Sequence, residues 1–269
     1  MSLFDLFPIL TTRPWVKICG VTRPEDAELA VELGATLVGV NFWPRSKRVI
    51  DPLRAREIVA AVRRRIPVVA VFVNEDPDRI EGLFDEVGFD LVQLHGDEPE
   101  KMVTRFGPRA LRALRAQPGE AAAARELPMK GKGESVGPSG GGAGASVGAT
   151  GDRVSATRPT DSFQQRASST RVGLERCFAL LIDGPAGERY GGTGEGWDWS
   201  MSAPLVAASA VPVLIAGGIR PETATAALSA SGAAGVDVAS GVEASPGVKD
   251  PEKMRRLMEA VEGRRRGEE

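Results

Sequence analysis

A chain of 269 residues, 42% hydrophobic and 26% charged, can bury one large core or two small ones. Its formal net charge of -2 leaves no basic footprint for nucleic acid, and no run approaches the roughly 18 apolar residues of a membrane span. Two cysteines, Cys19 and Cys177, and one histidine, His95, cannot make a disulfide framework or a Cys/His zinc site, so Cys19 is expected to be a free thiol.

Residues 1–14 read as an N-terminal extension, and the leader MSLFDLFPIL lacks the basic start and small-residue cleavage site of a signal peptide. The cytoplasm is the expected compartment. From there, short runs rich in Val, Ile and Leu alternate with amphipathic, charged stretches that open near a proline or an acidic residue. In order, the pattern predicts a strand over Trp15–Ile18, a helix over Pro24–Leu33, a strand over Leu37–Asn41 and a helix over Pro52–Arg64. It continues with a strand over Val68–Phe72, a helix over Pro77–Val87, a strand over Leu91–Leu94, a helix over Glu98–Phe106 and a strand over Arg109–Leu114. The rhythm then breaks. From about Gln117 to Val172 the composition turns to Gly, Ser, Ala, Thr, Pro and Arg, including PSGGGAGASVGATG, which cannot bury enough apolar area to order itself. Strands resume over Phe178–Ile182, Val213–Ala216 and Gly235–Val238, with helices over Thr223–Ser229 and Pro251–Val261, and residues 263–269 form a charged tail.

Eight strands, each followed by a crossover, predict an α/β chain folded as one (β/α)8 TIM barrel over 15–262, with the insertion at 117–172 placed after the fifth strand. An open doubly wound sheet is the alternative. In such a barrel the chemistry sits where strands run into loops at the C-terminal face. The residues there are Lys17-Ile18-Cys19-Gly20, Asn41 to Arg48, Gln93 to Asp97, Asp183, Gly191 to Gly194, Ala216-Gly217-Gly218 and Asp237 to Val242. Glycines let backbone N–H groups approach an anion, and loops seven and eight are the usual phosphate cradle, although Gly217 and Gly218 are also compatible with a plain tight turn. Pairing them with Ser240 and Gly241 favours phosphate.

The run KICGVTRPEDAELAVELGATLVGVNFWPRSKRVI, followed in order by VAVFVNE, LVQLHGDE, LLIDGPAGERYGGTGEGWDW, PVLIAGGIRPETA and GVDVASGVEASPGVKDPEKM, resembles the phosphoribosylanthranilate isomerase family of tryptophan biosynthesis. The resemblance covers nearly everything except the extension, the insertion and the tail. It implies a (β/α)8 barrel that converts N-(5-phosphoribosyl)anthranilate to 1-(2-carboxyphenylamino)-1-deoxyribulose 5-phosphate with no metal and no organic cofactor. It also implies a small phosphorylated substrate, with neither nucleic acid nor a membrane as partner, and leaves self-association or contact with other enzymes of that pathway open. Carried over by position, Cys19 matches the general base and Asp183 the general acid, while Arg48 matches the arginine that holds the anthranilate carboxylate. Gly217, Gly218, Ser240 and Gly241 fall on phosphate loops, and Gly192, Thr193 and Gly194 lie on a mobile loop near the sugar. One departure is Ser46-Lys47-Arg48, where relatives usually read Ser-Pro-Arg.

The chemistry asks for these residue types on its own terms. Opening a furanose needs an acid at the ring oxygen, and the resulting Schiff base must then lose a proton from C2′. A thiol can serve as the base if a positive charge brings its pKa towards neutrality, and Lys17, two residues from Cys19 on the same strand face, is the natural source. Asp237 from the eighth strand is expected to pair with Lys17, because a buried ammonium needs a partner. Plainer uses compete. Cys177 reads as a small buried hydrophobe, Asp183 could cap a turn, His95 lines or supports the pocket, and the arginines of RRRIP and GRRRGEE are solvated charge. Two other functional readings stand beside the isomerase: a barrel acting on a related aminoaldose phosphate, and a noncatalytic binder of a phosphorylated metabolite.

Overall fold

A computed structural model describes residues 2–12, 14–62, 64–116, 176–184 and 197–267. The insertion at 117–172 and the loop carrying Gly192, Thr193 and Gly194 lie outside the described residues. Eight parallel strands close into a barrel in chain order, with β1 returning to β8: β1 (Trp15–Ile18), β2 (Leu37–Asn41), β3 (Val68–Phe72), β4 (Leu91–Leu94), β5 (Ala110–Arg115), β6 (Ala179–Asp183), β7 (Val213–Ile215) and β8 (Gly235–Val238). The open sheet is thereby excluded. Around it run α2 (Pro24–Glu32), α3 (Pro52–Val62), α4 (Pro77–Val87), α5 (Glu100–Phe106), α6 (Ala203–Ala208), α7 (Ala224–Ser231) and α8 (Pro251–Gly267), preceded by a short α1 (Leu3–Leu6).

Local chemistry accounts for these boundaries. In α4 the Asp76 carboxylate accepts from the N–H groups of Asp78 and Arg79, Pro77 opens the first turn, and Gly88 closes the helix at φ 78°, where a side chain would be strained. Glu98 falls outside α5, because its carboxylate is occupied by the N–H groups of Asn74 and Gly96 and by Arg112. The last helix continues to Gly267, through residues read as a tail, since no proline interrupts it and the single Gly263 is tolerated. Both β5 and β6 start and end one residue later than the pattern suggested, with a 3-10 turn over Gly107–Arg109 ahead of β5. Asp183 consequently closes β6 in register with Arg115, fixed by the sheet and not carried on a loop.

Strand alternation splits the apolar residues into two cores. Val16, Ile18, Val38, Val40, Ala70, Leu180, Ile215 and Val236 face outward onto the helices. Trp15, Leu37, Val69, Leu91, Leu111, Leu181 and Leu214 face inward and fill the lower barrel. The N-terminal segment closes that lower end. Phe7 and Leu10 are buried there, Leu10 O accepts from Trp15 Nε1 at 2.9 Å, and Trp15 stacks on Phe178 at 5.4 Å between centroids. With the floor sealed by hydrocarbon, the polar interior is confined to the upper half, where the candidate residues lie. Among the described residues no helix is long and apolar enough to cross a membrane.

Candidate active site

The polar interior is organised around one ammonium. Lys17 has no exposed surface, and its three protons meet three acceptors: Gln93 Oε1 at 2.8 Å, Asp237 Oδ1 at 3.0 Å and Cys19 Sγ at 3.2 Å. The β1–β8 register sets Lys17 beside Asp237, so the expected ion pair forms between neighbouring strands. Burial works against the charge on Lys17, but Asp237 and Cys19 outweigh it and lift its pKa above the ordinary value.

The thiol behaves differently from expectation. Burial, reinforced by the Asp237 carboxylate, pushes Cys19 above the ordinary thiol value, and the pull of Lys17 and Lys249 does not overcome it. Lys17 therefore does not bring the resting thiol towards neutrality, because its charge is already answered by Asp237. What Lys17 offers is a donor aimed at sulfur. Gly39 makes room for this arrangement, since a Cβ there would stand 2.9 Å from Cys19 Sγ and 3.2 Å from Lys17 Nζ. Gly39→Ala is expected to slow turnover roughly 10- to 100-fold while leaving the protein folded, since small displacements of reacting groups are costly; steady-state rates beside a melting curve check this.

From Lys17 the polar chain crosses the barrel. Gln93, on β4, passes from Lys17 to His95, with its Nε2 2.5 Å from His95 Nδ1, and His95 Nε2 lies 3.3 Å from Asp183 Oδ2. The other Asp183 oxygen accepts from the Gly184 N–H at 2.9 Å. Cys19 and Asp183, from opposite sides of the barrel mouth, thus sit at the two ends of one hydrogen-bonded line. Among the described residues Asp183 caps no helix, and the Cys177 thiol is pushed up to about 12, mainly by burial.

A second buried cluster adjoins Cys19. Glu243 holds Arg48 along one edge, with Nε and Nη2 each 2.7 Å from its oxygens, and accepts from Lys249 Nζ at 3.0 Å. Lys249 also donates to the carbonyls of Cys19 and Ala239 at 2.6 and 3.1 Å. Burial opposes the charge on Glu243, but Arg48 and Lys249 hold its carboxyl below the usual carboxylate value. The side-on grip leaves the Nη1 edge of Arg48 without a partner among the described residues, free for a planar anion.

The glycine loops form the third part. A cavity of about 300 Å³ opens beside Gly218, Ile219, Arg220, Ser240, Gly241 and Lys253. Gly217 and Gly218 have φ 82° and 69°, and a Cβ on Gly241 would strike Ile219 O at 1.9 Å, so both loops require glycine to close on each other. Among the described residues no group of three His, Cys, Asp or Glu side chains is placed to hold a metal.

The structure therefore brings Cys19, Asp183, His95, Asp237 and Arg48 to one mouth, with Gly217, Gly218, Ser240 and Gly241 at its rim, while Gly192, Thr193 and Gly194 lie outside the described residues. Sequence reasoning placed Gln93 at the catalytic face without giving it a role and did not single out Gly39, Glu243 or Lys249. Gln93 carried a usable signal, lying two residues before His95 on a strand and hence on the same face. Glu243 and Lys249 carried none, because Glu243 meets Arg48, and Lys249 meets Glu243, only where a short strand pair after β8 packs against the loop after β2.

The sequence profile of the N-(5'phosphoribosyl)anthranilate (PRA) isomerase family matches residues 16–126 and 154–260. The chain is 39% identical over 249 residues to the N-(5'-phosphoribosyl)anthranilate isomerase of Myxococcus xanthus, covering 91% of this chain and 95% of that protein. The Bordetella parapertussis protein of the same name is 36% identical over 250 residues, covering 93% and 96%. Among solved structures, phosphoribosyl anthranilate isomerase from Thermotoga maritima superposes with a TM-score of 0.69 at 29% identity, over 93% of this chain and 98% of that one. A structure of such an isomerase in complex with reduced 1-(o-carboxyphenylamino)-1-deoxyribulose 5-phosphate does so at 0.66, with the same identity and coverage. On sequence and fold together, the chain belongs to the N-(5'-phosphoribosyl)anthranilate isomerase family.

Proposed function

We propose that this enzyme carries out the Amadori rearrangement of N-(5-phosphoribosyl)anthranilate in tryptophan biosynthesis, with Asp183 as general acid and Cys19 as general base. The observation that carries the reading is the pair itself: in a chain of this family, an acid and a thiol face one barrel mouth and are joined by a single hydrogen-bonded line.

The steps follow from the residues. Asp183 gives its proton to the furanose ring oxygen as the bond from C1′ to that oxygen breaks, leaving a protonated Schiff base. The Asp183 carboxylate so formed is met by the Gly184 N–H and by His95. The Cys19 thiolate then takes the C2′ proton, and the electrons of that C–H bond form a C1′–C2′ double bond while the C–N π pair moves to nitrogen. The resulting enol gives the ketone as a proton reaches C1′ and the hydroxyl on C2′ gives up its own. Positive charge on the Schiff base lowers the cost of the thiolate, which offsets the effect of burial on Cys19. The phosphate rests at the glycine loops with Arg220 and Lys253 beside them, and the anthranilate carboxylate meets the open edge of Arg48.

This assignment makes Glu243 the residue that aims Arg48. In Arg48→Lys the flat two-point grip is lost, so KM is expected to rise about 10- to 100-fold with a smaller change in kcat. Glu243→Gln should move KM in the same direction by less. A kcat loss with KM untouched would place Arg48 elsewhere in the reaction. The function itself is tested by following loss of anthranilate fluorescence as purified protein meets freshly made substrate. Turnover supports the reading, whereas binding without turnover would leave a phosphate-binding barrel for a related aminoaldose.

A further inference from the structure

The line from Lys17 to Asp183 fixes more than distance. An ammonium can only donate, so the Gln93 atom 2.8 Å from Lys17 must be the amide oxygen. The amide NH2 then faces His95 Nδ1 at 2.5 Å and can only donate to it. His95 Nδ1 must therefore be bare, and its single ring proton sits on Nε2, directed at Asp183 Oδ2. Gln93 and Lys17 are both almost fully buried, and turning the amide would set NH2 against an ammonium.

We infer that Gln93 is a positioning residue that locks His95 as the neutral Nε2–H tautomer and thereby keeps the Asp183 proton available to substrate. The inference rests on the acid role proposed for Asp183. Two other states of His95 would disable that acid. With the ring proton on Nδ1, the bare Nε2 would accept the Asp183 O–H and draw the proton away from the ring oxygen. As an imidazolium, His95 would hold Asp183 as a carboxylate with nothing to give. The Nε2–H form avoids both and supplies a donor to the carboxylate left after proton transfer. Because the amide is oriented by Lys17, which also holds Cys19, the same residue ties the His95 tautomer to an intact base side.

His95 is the single histidine of the chain, so the two ring nitrogens of histidine-labelled protein can be read by ¹⁵N NMR without overlap. The wild-type spectrum is expected to show a protonated Nε2 and a bare Nδ1; a proton on Nδ1, alone or with one on Nε2, overturns the inference whether or not any variant folds. In Gln93→Glu a carboxylate faces Nδ1, so both nitrogens should become protonated, and kcat should fall roughly 10²-fold with KM changed far less. A wild-type spectrum and wild-type kcat in that variant also overturn it. The tautomer is measured in the resting protein, so the two readings separate. An Nε2–H spectrum without turnover sinks the isomerase reading and leaves the lock standing, while turnover with an Nδ1–H spectrum does the reverse.

Discussion

Cys19→Ala should lose about 10²- to 10⁴-fold in kcat while still binding N-(5-phosphoribosyl)anthranilate, the range expected when a positioned general base is removed. Binding survives because the phosphate cradle and Arg48 are untouched. An unchanged kcat would end the base assignment. The pH dependence adds a direction. Burial and then Asp237 raise the Cys19 pKa, so the resting thiol is protonated at neutral pH, and the thiolate fraction grows tenfold per pH unit until that raised pKa is reached. For wild type, the limb of kcat/KM that reports Cys19 ionisation should therefore lie above the ordinary thiol range. Asp237→Asn removes the carboxylate that reinforces burial, so its rising limb should move to lower pH even as the protein loses the partner of a buried ammonium. A rising limb that ends below neutrality in wild type would show a thiolate already formed in the resting enzyme.

What the sequence made legible, and what it hid, divides along physical lines. The barrel was readable because parallel strands covered on their outer faces by helices appear as apolar runs between amphipathic stretches. Lys17 with Asp237 was readable too, since period two fixes the inward face and closure makes the first and last strands neighbours. The contact of Lys17 with Gln93 was not, because β4 faces β1 across the interior and no pairing register relates them. Glu243 gripping Arg48 depends on where the loop after β2 meets a short strand pair after β8, which local pattern does not encode. The direction of the Cys19 shift was misjudged for a related reason: the sequence shows a lysine near a thiol but not that a carboxylate has already answered its charge. The first residues read as a bare extension, yet Phe7 and Leu10 floor the barrel, since short apolar segments gain meaning only from the opening they fill.

Asp183→Asn is the second large effect expected, a fall of about 10²- to 10⁴-fold in kcat with KM little changed. An amide has no proton acidic enough to pass to a departing ring oxygen. It also keeps only one oxygen, whereas Asp183 uses one for the Gly184 N–H and the other for His95 Nε2, so an amide N–H must face one of these donors. The double variant separates this role from that of Cys19. In the proposed scheme acid and base serve successive steps on one molecule, so removing both should cost little more than removing the worse of the two. If the two losses instead multiply, both groups contribute independently to one rate-limiting step, and the division of Asp183 and Cys19 between ring opening and proton abstraction falls. A strongly active Asp183→Asn would move the acid role to another group at the mouth, with His95, 3.3 Å from Asp183, next in line.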